Sequence, residues 1–326
     1  MSEARMMRVV LTDHPWPNLD IEHNIFAAAG IDLTAGPSIA GDEKAIEKLV
    51  DQANPHAILT CWAPVTKTAI QMPRDLRIVA RLGVGLDNIA VRAATARGAW
   101  VTNVPDYCVQ EVSDHAVGLL LAHFRGIVKL DRGTKAGRWD PTSAPVLERI
   151  SNLTVGVIGF GRIGRETARK LSSFRCRILA YSPNLMSDEA GVEAVTLATV
   201  QSECDVIFLH APLTKDTYHL IGEEFLRGCK RAPLIVNASR GGLVDNAALL
   251  KALSEGLVRG AALDVVEGEP DPPKEILEHE RTIVTPHISF LSTASLAELR
   301  SRACQDVVRV LGGEEPLNPC GRPESK

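Results

Sequence analysis

The densest grouping of residues able to do chemistry is Gly159-Phe160-Gly161-Arg162-Ile163-Gly164. It follows the apolar run Thr154–Ile158 and opens a stretch of helical pattern. In that setting Gly159 permits a tight turn, Gly161 lets the backbone approach a pyrophosphate, and Gly164 lets helix and strand pack closely. Free N–H groups and the dipole at the helix start favour the anion. Glycines recur in turns for structural reasons alone, so the strand before and the helix after carry the assignment. The implied ligand is a dinucleotide, with Gly159, Gly161, Arg162, Ile163 and Gly164 on its pyrophosphate side. About 20 residues further on, such sites place Asp or Glu on the ribose hydroxyls. Here Ala180-Tyr181-Ser182-Pro183-Asn184 puts Ser182 there. A serine makes one ribose hydrogen bond and carries no charge. No Arg or Lys lies between Ser182 and Glu189 to attract a 2′-phosphate. NAD is the favoured cofactor and NADP stays open.

Three further polar blocks fall at or just after strand ends. They are Asn237-Ala238-Ser239-Arg240-Gly241-Gly242, Asp264-Val265-Val266-Glu267-Gly268-Glu269-Pro270, and Thr285-Pro286-His287. Ligands of open α/β sheets bind beyond the carboxyl ends of the strands, so the blocks can converge on the nicotinamide. Reducing a keto acid needs a hydride donor and a proton for the new hydroxyl. His287 can give that proton near neutral pH, because free imidazole titrates near about 6.5. Glu269 can pair with the imidazolium and orient it. Arg240 offers a planar fork to a carboxylate and can polarise the keto oxygen. Backbone N–H groups around Val84 and Gly85 can hold the substrate carboxylate as a nest. Each residue also has a plain structural reading. His287 alone would usually be a satisfied turn residue, Arg240 a surface ion pair, and Glu269 a turn starter. Asp264 would be a strand-end cap, and Gly83 with Gly85 a helix entry capped by Asp87. Their joint occurrence favours a site. His210, Ala211 and Pro212 lie at another strand end and are read as lining the cofactor. His115, His123 and His219 read as structural, and Trp139 as packing.

The elements that must position these residues form two α/β series. Val9–Leu11, Ala57–Leu59 and a run within Leu76–Ala80 read as strands, with a helix stopping at Gly30. Val109–Leu130 reads as one long helix, with Val112, Ala116, Leu119 and Leu120 at helical spacing. Gly133, Gly137, Pro141 and Pro145 then break the pattern. A second series follows, with strands at Thr154–Ile158, Ile178–Tyr181, Val206–Leu209, Leu234–Val236 and Ala261–Leu263. Strands alternating with helices predict parallel sheets joined by right-handed crossovers.

At 326 residues the chain suits two domains. Lys plus Arg (36) against Asp plus Glu (40) leaves a formal charge of −4, with no basic stripe for nucleic acid. Aromatics are only 4%, too few for a base-stacking platform. Seven cysteines at scattered positions, none in CxxC spacing, argue against a disulfide framework or a zinc site. No signal-peptide core and no membrane-length apolar run are present, so a cytoplasmic protein with no membrane partner is expected.

With these blocks in order, the sequence resembles the D-isomer-specific 2-hydroxyacid dehydrogenases. The marks are Gly83-Val84-Gly85-Leu86-Asp87-Asn88, Asn103-Val104-Pro105, the glycine turn, the Arg240 block, Glu269-Pro270 and Pro286-His287. The branch most similar is that of the C-terminal-binding-protein-like dehydrogenases. The resemblance implies Arg240, Glu269 and His287 as the catalytic trio. It implies Arg81 for a substrate carboxylate and Phe290 as an aromatic beside the substrate. Arg81, Trp62 and Phe290 then suggest a pocket with an anion site and an aromatic wall, completed by Val84 and Gly85. It places Asp264 near the nicotinamide. The dinucleotide set is completed by Ser182, His210, Ala211, Pro212, Thr217, Asn237, Ala238, Ser239 and Ser289. The implied fold is a flavodoxin-like substrate domain, 1–104 completed by 290–326, and a Rossmann domain, 105–289, with a cleft between them. A homodimer acting on a small 2-hydroxy or 2-keto acid is implied. Ser182 departs from the Asp of most relatives and leaves cofactor choice open. The rival reading is an NAD(H)-sensing, corepressor-like scaffold with little turnover, since such scaffolds keep the trio. Absence of a long tail before Lys326 inclines the reading to an enzyme. Formate dehydrogenases would place Gln where Glu269 stands.

Overall fold

The computed structural model describes residues 6–189 and 191–324. The chain forms two compact units, Met1–Tyr107 with Ser292–Lys326, and Cys108–Leu291.

The first unit is built on strands β1 (Met7–Leu11), β2 (Ile31–Ala35), β3 (Ala57–Thr60), β4 (Ile78–Arg81) and β5 (Trp100–Thr102). They run parallel in the order β2-β1-β3-β4-β5. β3 and β4 are buried along their whole length, which is why they read as continuous apolar runs. The order reverses between β1 and β3, with Leu11 opposite Leu59. The C-terminal segment belongs to this unit. The helix Thr293–Leu311 sets Arg300 on Glu22 of the helix Asp20–Ala28, through Nε–Oε1 at 2.7 Å and Nη2–Oε2 at 2.6 Å. Both partners are buried. Removing one member of such a pair costs about 3–5 kcal/mol, because it strands the other charge. A last strand, β13, comprises Pro319–Gly321 and pairs antiparallel with β5.

The second unit carries the other seven strands. They are β6 (Thr154–Ile158), β7 (Arg177–Tyr181), β8 (Glu193–Ala194), β9 (Val206–Leu209), β10 (Leu234–Asn237), β11 (Gly260–Leu263) and β12 (Thr282–Val284). They run parallel in the order β8-β7-β6-β9-β10-β11-β12. This is the doubly wound dinucleotide-binding order with one strand added, and the first unit has the flavodoxin-like order. Here the order reverses between β6 and β9. Ile158, Leu209, Ile235 and Leu263 join the helix residues Leu249 and Leu253 in the core beneath the strand ends.

Three expectations change. The single helix over Val109–Leu130 is two helices, Val109–Phe124 and Ile127–Lys135. Gly126 between them takes φ +62°, and a Cβ there would sit 3.0 Å from the Pro145 ring. The left-handed residue turns the chain at a point where the apolar spacing runs on. Gly133 lies inside the second helix instead of breaking it. Trp139 is not packed, being 88% exposed. β2, β5, β8, β12 and β13 went unread in the sequence. β2 and β8 are edge strands with polar residues, and β13 is Pro-Cys-Gly, which has no strand propensity.

Candidate active site

At the end of β6, Gly159 takes φ +94° and its N–H donates to the Tyr181 carbonyl at 2.8 Å. A Cβ at Gly159 would lie 2.4 Å from Ala211 N, so the ends of β6 and β9 touch at the switch point. At Gly161 a Cβ would meet nothing within 4 Å, and this side of the turn is open. The helix Arg162–Ser172 starts here with no side-chain cap at Gly161. Its first N–H groups lack the partner that a cap would supply. Arg162 is exposed and Ile163 half-buried. His210 shares Nε2 with Thr167 Oγ1 at 3.0 Å, while its Nδ1 is buried with no partner among the described residues. Burial pushes this imidazole down to about 4, so the ring is neutral. An open turn, an uncapped helix start and an orphaned ring nitrogen together fit a dinucleotide with its pyrophosphate on the helix. Pro212 and Thr217 follow in a closed turn, where Thr217 Oγ1 donates to the Pro212 carbonyl at 2.6 Å. Ser182 lies half-buried at the end of β7.

After β10 the chain doubles back over a buried clamp. Asn237 accepts from Ser239 N at 3.1 Å and donates to the Arg240 carbonyl at 2.9 Å. Ser239 Oγ donates to the Ala211 carbonyl at 2.6 Å, which ties this loop to the glycine-turn side. Ala238 between them is buried. Arg240 is half-buried, and its Nη1 donates to the Ser239 carbonyl at 2.8 Å. The next residue must be glycine, because a Cβ at Gly241 would lie 2.3 Å from Glu267 N. That approach seats the Arg240 loop directly on the backbone leading to Glu269.

The third block ends in the histidine. His287 Nδ1 and Glu269 Oε1 are 2.9 Å apart. His287 has φ +52°, a left-handed conformation that costs a non-glycine residue about 1–3 kcal/mol. Asp264 holds it there. The His287 N–H donates to the Asp264 carbonyl at 2.8 Å. The Asp264 carboxylate accepts Thr285 Oγ1 at 2.6 Å, Ile288 N at 3.0 Å and Ser289 N at 2.9 Å. The Asp264 side chain is fully buried. Both Asp264 oxygens are hydrogen-bonded to the turn, so this carboxylate positions His287. Ser289 is likewise buried, its N–H spent on Asp264. Phe290 stands edge-on to His287, with ring centroids 6.4 Å apart. The histidines read as structural have partners to match. His115 Nε2 meets Thr285 Oγ1 at 2.9 Å, and His219 Nε2 meets Glu267 Oε2 at 2.8 Å. Burial pushes His123 down to about 4.

The first unit gathers its own set. Arg81 is 8% exposed, with Nε on the Gly85 carbonyl at 3.1 Å and Nη1 on the Leu82 carbonyl at 2.9 Å. The guanidinium thereby braces the Val84–Gly85 turn and lies 5.7 Å from the Trp62 ring centroid. Asn103 Nδ2 donates to the Val84 carbonyl at 2.6 Å. One residue that sets the geometry of this unit escaped the sequence reading. Asp13, buried at the end of β1, accepts Cys61 N at 3.1 Å, Trp62 N at 2.7 Å and Ala63 N at 3.2 Å. Its carboxylate sets the loop that carries Trp62. The signal was an Asp two residues past an apolar strand, near where an α/β sheet places ligand groups.

A family model for the NAD-binding domain of D-isomer specific 2-hydroxyacid dehydrogenases matches residues 117–289. The chain belongs to that family. Glyoxylate reductase of Korarchaeum cryptofilum is 40% identical, over 78% of this chain and 79% of that protein. D-3-phosphoglycerate dehydrogenase of Archaeoglobus fulgidus is 37% identical, over 79% of this chain and 50% of its own. The solved NADPH-dependent glyoxylate/hydroxypyruvate reductase of Sinorhizobium meliloti, in complex with NADP and malonate, is 26% identical. It aligns over 98% of this chain and 99% of its own with a TM-score of 0.85. This family member is an NAD(P)-dependent oxidoreductase that moves a hydride between a nicotinamide and a 2-hydroxy or 2-keto acid. Among the described residues no side-chain cluster could hold a metal ion, and no helix is long and apolar enough to cross a membrane.

Proposed function

We propose that this dehydrogenase reduces a small 2-keto acid of the glyoxylate or hydroxypyruvate class, with Arg240, Glu269 and His287 as its catalytic residues. The observation that carries the reading is the 2.9 Å His287–Glu269 pair, held by Asp264 in the unit that bears the open glycine turn. A bound nicotinamide supplies or accepts the hydride. The chain's residues do the rest. Gly159, Gly161, Arg162, Ile163 and Gly164 hold the pyrophosphate, and Ser182 meets the ribose. Arg240 takes the substrate carboxylate and polarises the keto oxygen, so that the electron pair leaving the C=O bond settles on oxygen. His287 Nε2 delivers the proton to that oxygen and ends neutral, while Glu269 keeps Nδ1 protonated and the ring aimed. Oxidation of the hydroxy acid runs the same steps backwards. Val84, Gly85, Arg81, Trp62 and Phe290 shape substrate recognition, with Arg81 acting through the Val84–Gly85 turn. The unit Met1–Tyr107 with Ser292–Lys326 is accordingly the substrate unit. The small-acid substrate is supported by the names of the relatives, glyoxylate reductases among them. NAD is preferred, since Ser182 has no cation following it as far as Glu189.

The protein acts as a homodimer in the reducing cytoplasm. Ile127, Trp139, Val146 and Leu147 support the first point. They are exposed apolar side chains, with Val146 at 93%, and Gly126 beside Ile127 abuts Pro145 beside Val146. A solution mass of one chain, by sedimentation, would overturn it. The free thiols of all seven cysteines fit the compartment. The test of function is a panel of 2-keto acids with NADH and NADPH, run on the native protein and on His287→Asn. Turnover of at least one small keto acid is expected, with kcat/KM about a hundredfold lower in the variant, the usual span for a lost general acid. Tight cofactor binding without turnover on any acid would favour a scaffold instead.

A further inference from the structure

Ser182 carries no charge, and no cation follows it in the chain as far as Glu189. The structure brings one from elsewhere. Arg165, in the helix Arg162–Ser172, spreads its guanidinium over the Phe160 ring, 4.9 Å from the centroid. Its Nη1 donates to the Phe160 carbonyl. Phe160 is inside the glycine turn. The fork of the same guanidinium faces Glu189, with Nε–Oε1 at 2.8 Å and Nη2–Oε2 at 2.9 Å. Glu189 lies in the loop that begins at Ser182 and leads to β8. Arg165 therefore sits between the turn that takes the pyrophosphate and the loop that frames the adenosine ribose.

Glu189 is held in place to do this. Its backbone exchanges hydrogen bonds with Val192, N–H to carbonyl at 3.1 Å and back at 3.0 Å. Asp188 beside it is committed to Ala194 N at 2.9 Å. The Arg165 hydrogen bond holds the Glu189 carboxyl below the usual carboxylate range, so the loop keeps its charge. Other cations nearby are occupied. Arg169 is forked onto Glu166, Lys170 lies on Asp114, and Arg177 bridges Glu193 and Glu203. Arg162 lies at the helix start on the pyrophosphate side.

A carboxylate and a phosphate compete for the same planar guanidinium fork. We propose that Arg165 and Glu189 are the cofactor-specificity pair of this enzyme, with Arg165 the latent partner of a 2′-phosphate and Glu189 the built-in competitor that holds the preference for NAD. The proposal rests on the dinucleotide reading of the glycine turn. It differs from a ribose-binding acid in its mechanism. Glu189 discriminates by occupying a cation and repelling a phosphate, not by binding ribose hydroxyls. The pair is half-exposed to water, so a ligand dianion can displace the carboxylate at modest cost, and the preference is graded instead of absolute.

The test is calorimetric binding of ADP-ribose and its 2′-phosphate, with no turnover involved. It uses the native protein, Glu189→Gln, and Glu189→Gln combined with Arg165→Gln. The native protein should bind ADP-ribose more tightly than its 2′-phosphate. Glu189→Gln should shift the ratio of the two Kd values about tenfold toward the phosphate, and more so at low salt. The double variant should lose that gain. An unchanged ratio in Glu189→Gln overturns the proposal, and so does a gain that survives the loss of Arg165. Failure of ADP-ribose to bind the native protein overturns the dinucleotide reading itself, and this inference with it.

Discussion

Both units reverse strand order at a switch point, and each treats the N–H groups gathered there differently. In the second unit, the turn after β6 ends in an uncapped helix with open space at Gly161. In the first, the N–H groups of Cys61, Trp62 and Ala63 after β3 are filled by the chain's own Asp13 carboxylate from the end of β1. The topology produces an anion-friendly place in each sheet. Whether a ligand is recruited depends on one side chain. Where the chain supplies a carboxylate, the place becomes a fixed loop carrying Trp62. Where it supplies glycine, the place stays open for a pyrophosphate.

Two substitutions test that contrast, and a third serves as their control. The largest effect is expected from Gly159→Ala. The φ of +94° and a 2.4 Å approach to Ala211 N leave a methyl no room without moving the ends of β6 or β9. Dinucleotide affinity should fall about a hundredfold or more, the scale of roughly 3 kcal/mol lost from binding. NADH fluorescence titration reads it. Affinity within a few-fold of native would mean that the turn is not where the pyrophosphate binds.

Asp13→Asn should act on the other switch point. An amide keeps one acceptor but brings two donors toward three N–H groups. Stability should drop by about 1–3 kcal/mol, the cost of leaving buried donors unsatisfied. The urea midpoint measures this. Because Trp62 rides on that loop, KM for the keto acid should rise several-fold with kcat much less affected. A variant with native stability and native KM would leave Asp13 as an incidental cap.

The smallest effect is expected from Glu269→Gln, which leaves both switch points intact and touches only the proton. Glu269 Oε1 lies 2.9 Å from His287 Nδ1 and aims the ring that exchanges the proton. Gln keeps the shape and one acceptor but loses the charge. Because one ring serves both directions, kcat for reduction and for hydroxy-acid oxidation should each fall several-fold, with KM little changed. Native kcat in both directions, while His287→Asn is inactive, would mean that the two residues are uncoupled.

Much of this arrangement was legible in residue order. β6 and β9 span the stretches that their apolar runs mark, because a strand buried on both faces admits little else. The glycine turn was legible because its spacing answers a steric demand local to six residues. The three polar blocks were legible as strand-end loops. Their mutual ties were not. The contact of Gly241 with the Glu267 backbone and the bond from Ser239 to Ala211 join segments tens of residues apart. Asp264 reads in sequence as a strand-end cap or a residue near the nicotinamide, and only the fold shows its oxygens joined to the 285–289 turn. Arg165 and Glu189 are 24 residues apart and share no motif. Trp139 reads as packing because it is large and apolar, and only the course of the chain after Lys135 leaves it in solvent.

The sequence by itself determined what is set by local sterics and periodicity. That covers the parallel strands, the dinucleotide turn, the chemical types of Arg240, Glu269 and His287, and the family. The tertiary structure alone decided which groups are consumed internally and which remain for a ligand. Asp13 fills one switch point and the other stays open. Asp264 holds a strained histidine, Arg81 braces a turn, and Glu189 occupies Arg165. The physical reason is that a hydrogen bond or ion pair depends on atoms meeting within about 3 Å. Local sequence fixes the donors and acceptors, but only the packing of distant strand ends fixes which of them meet.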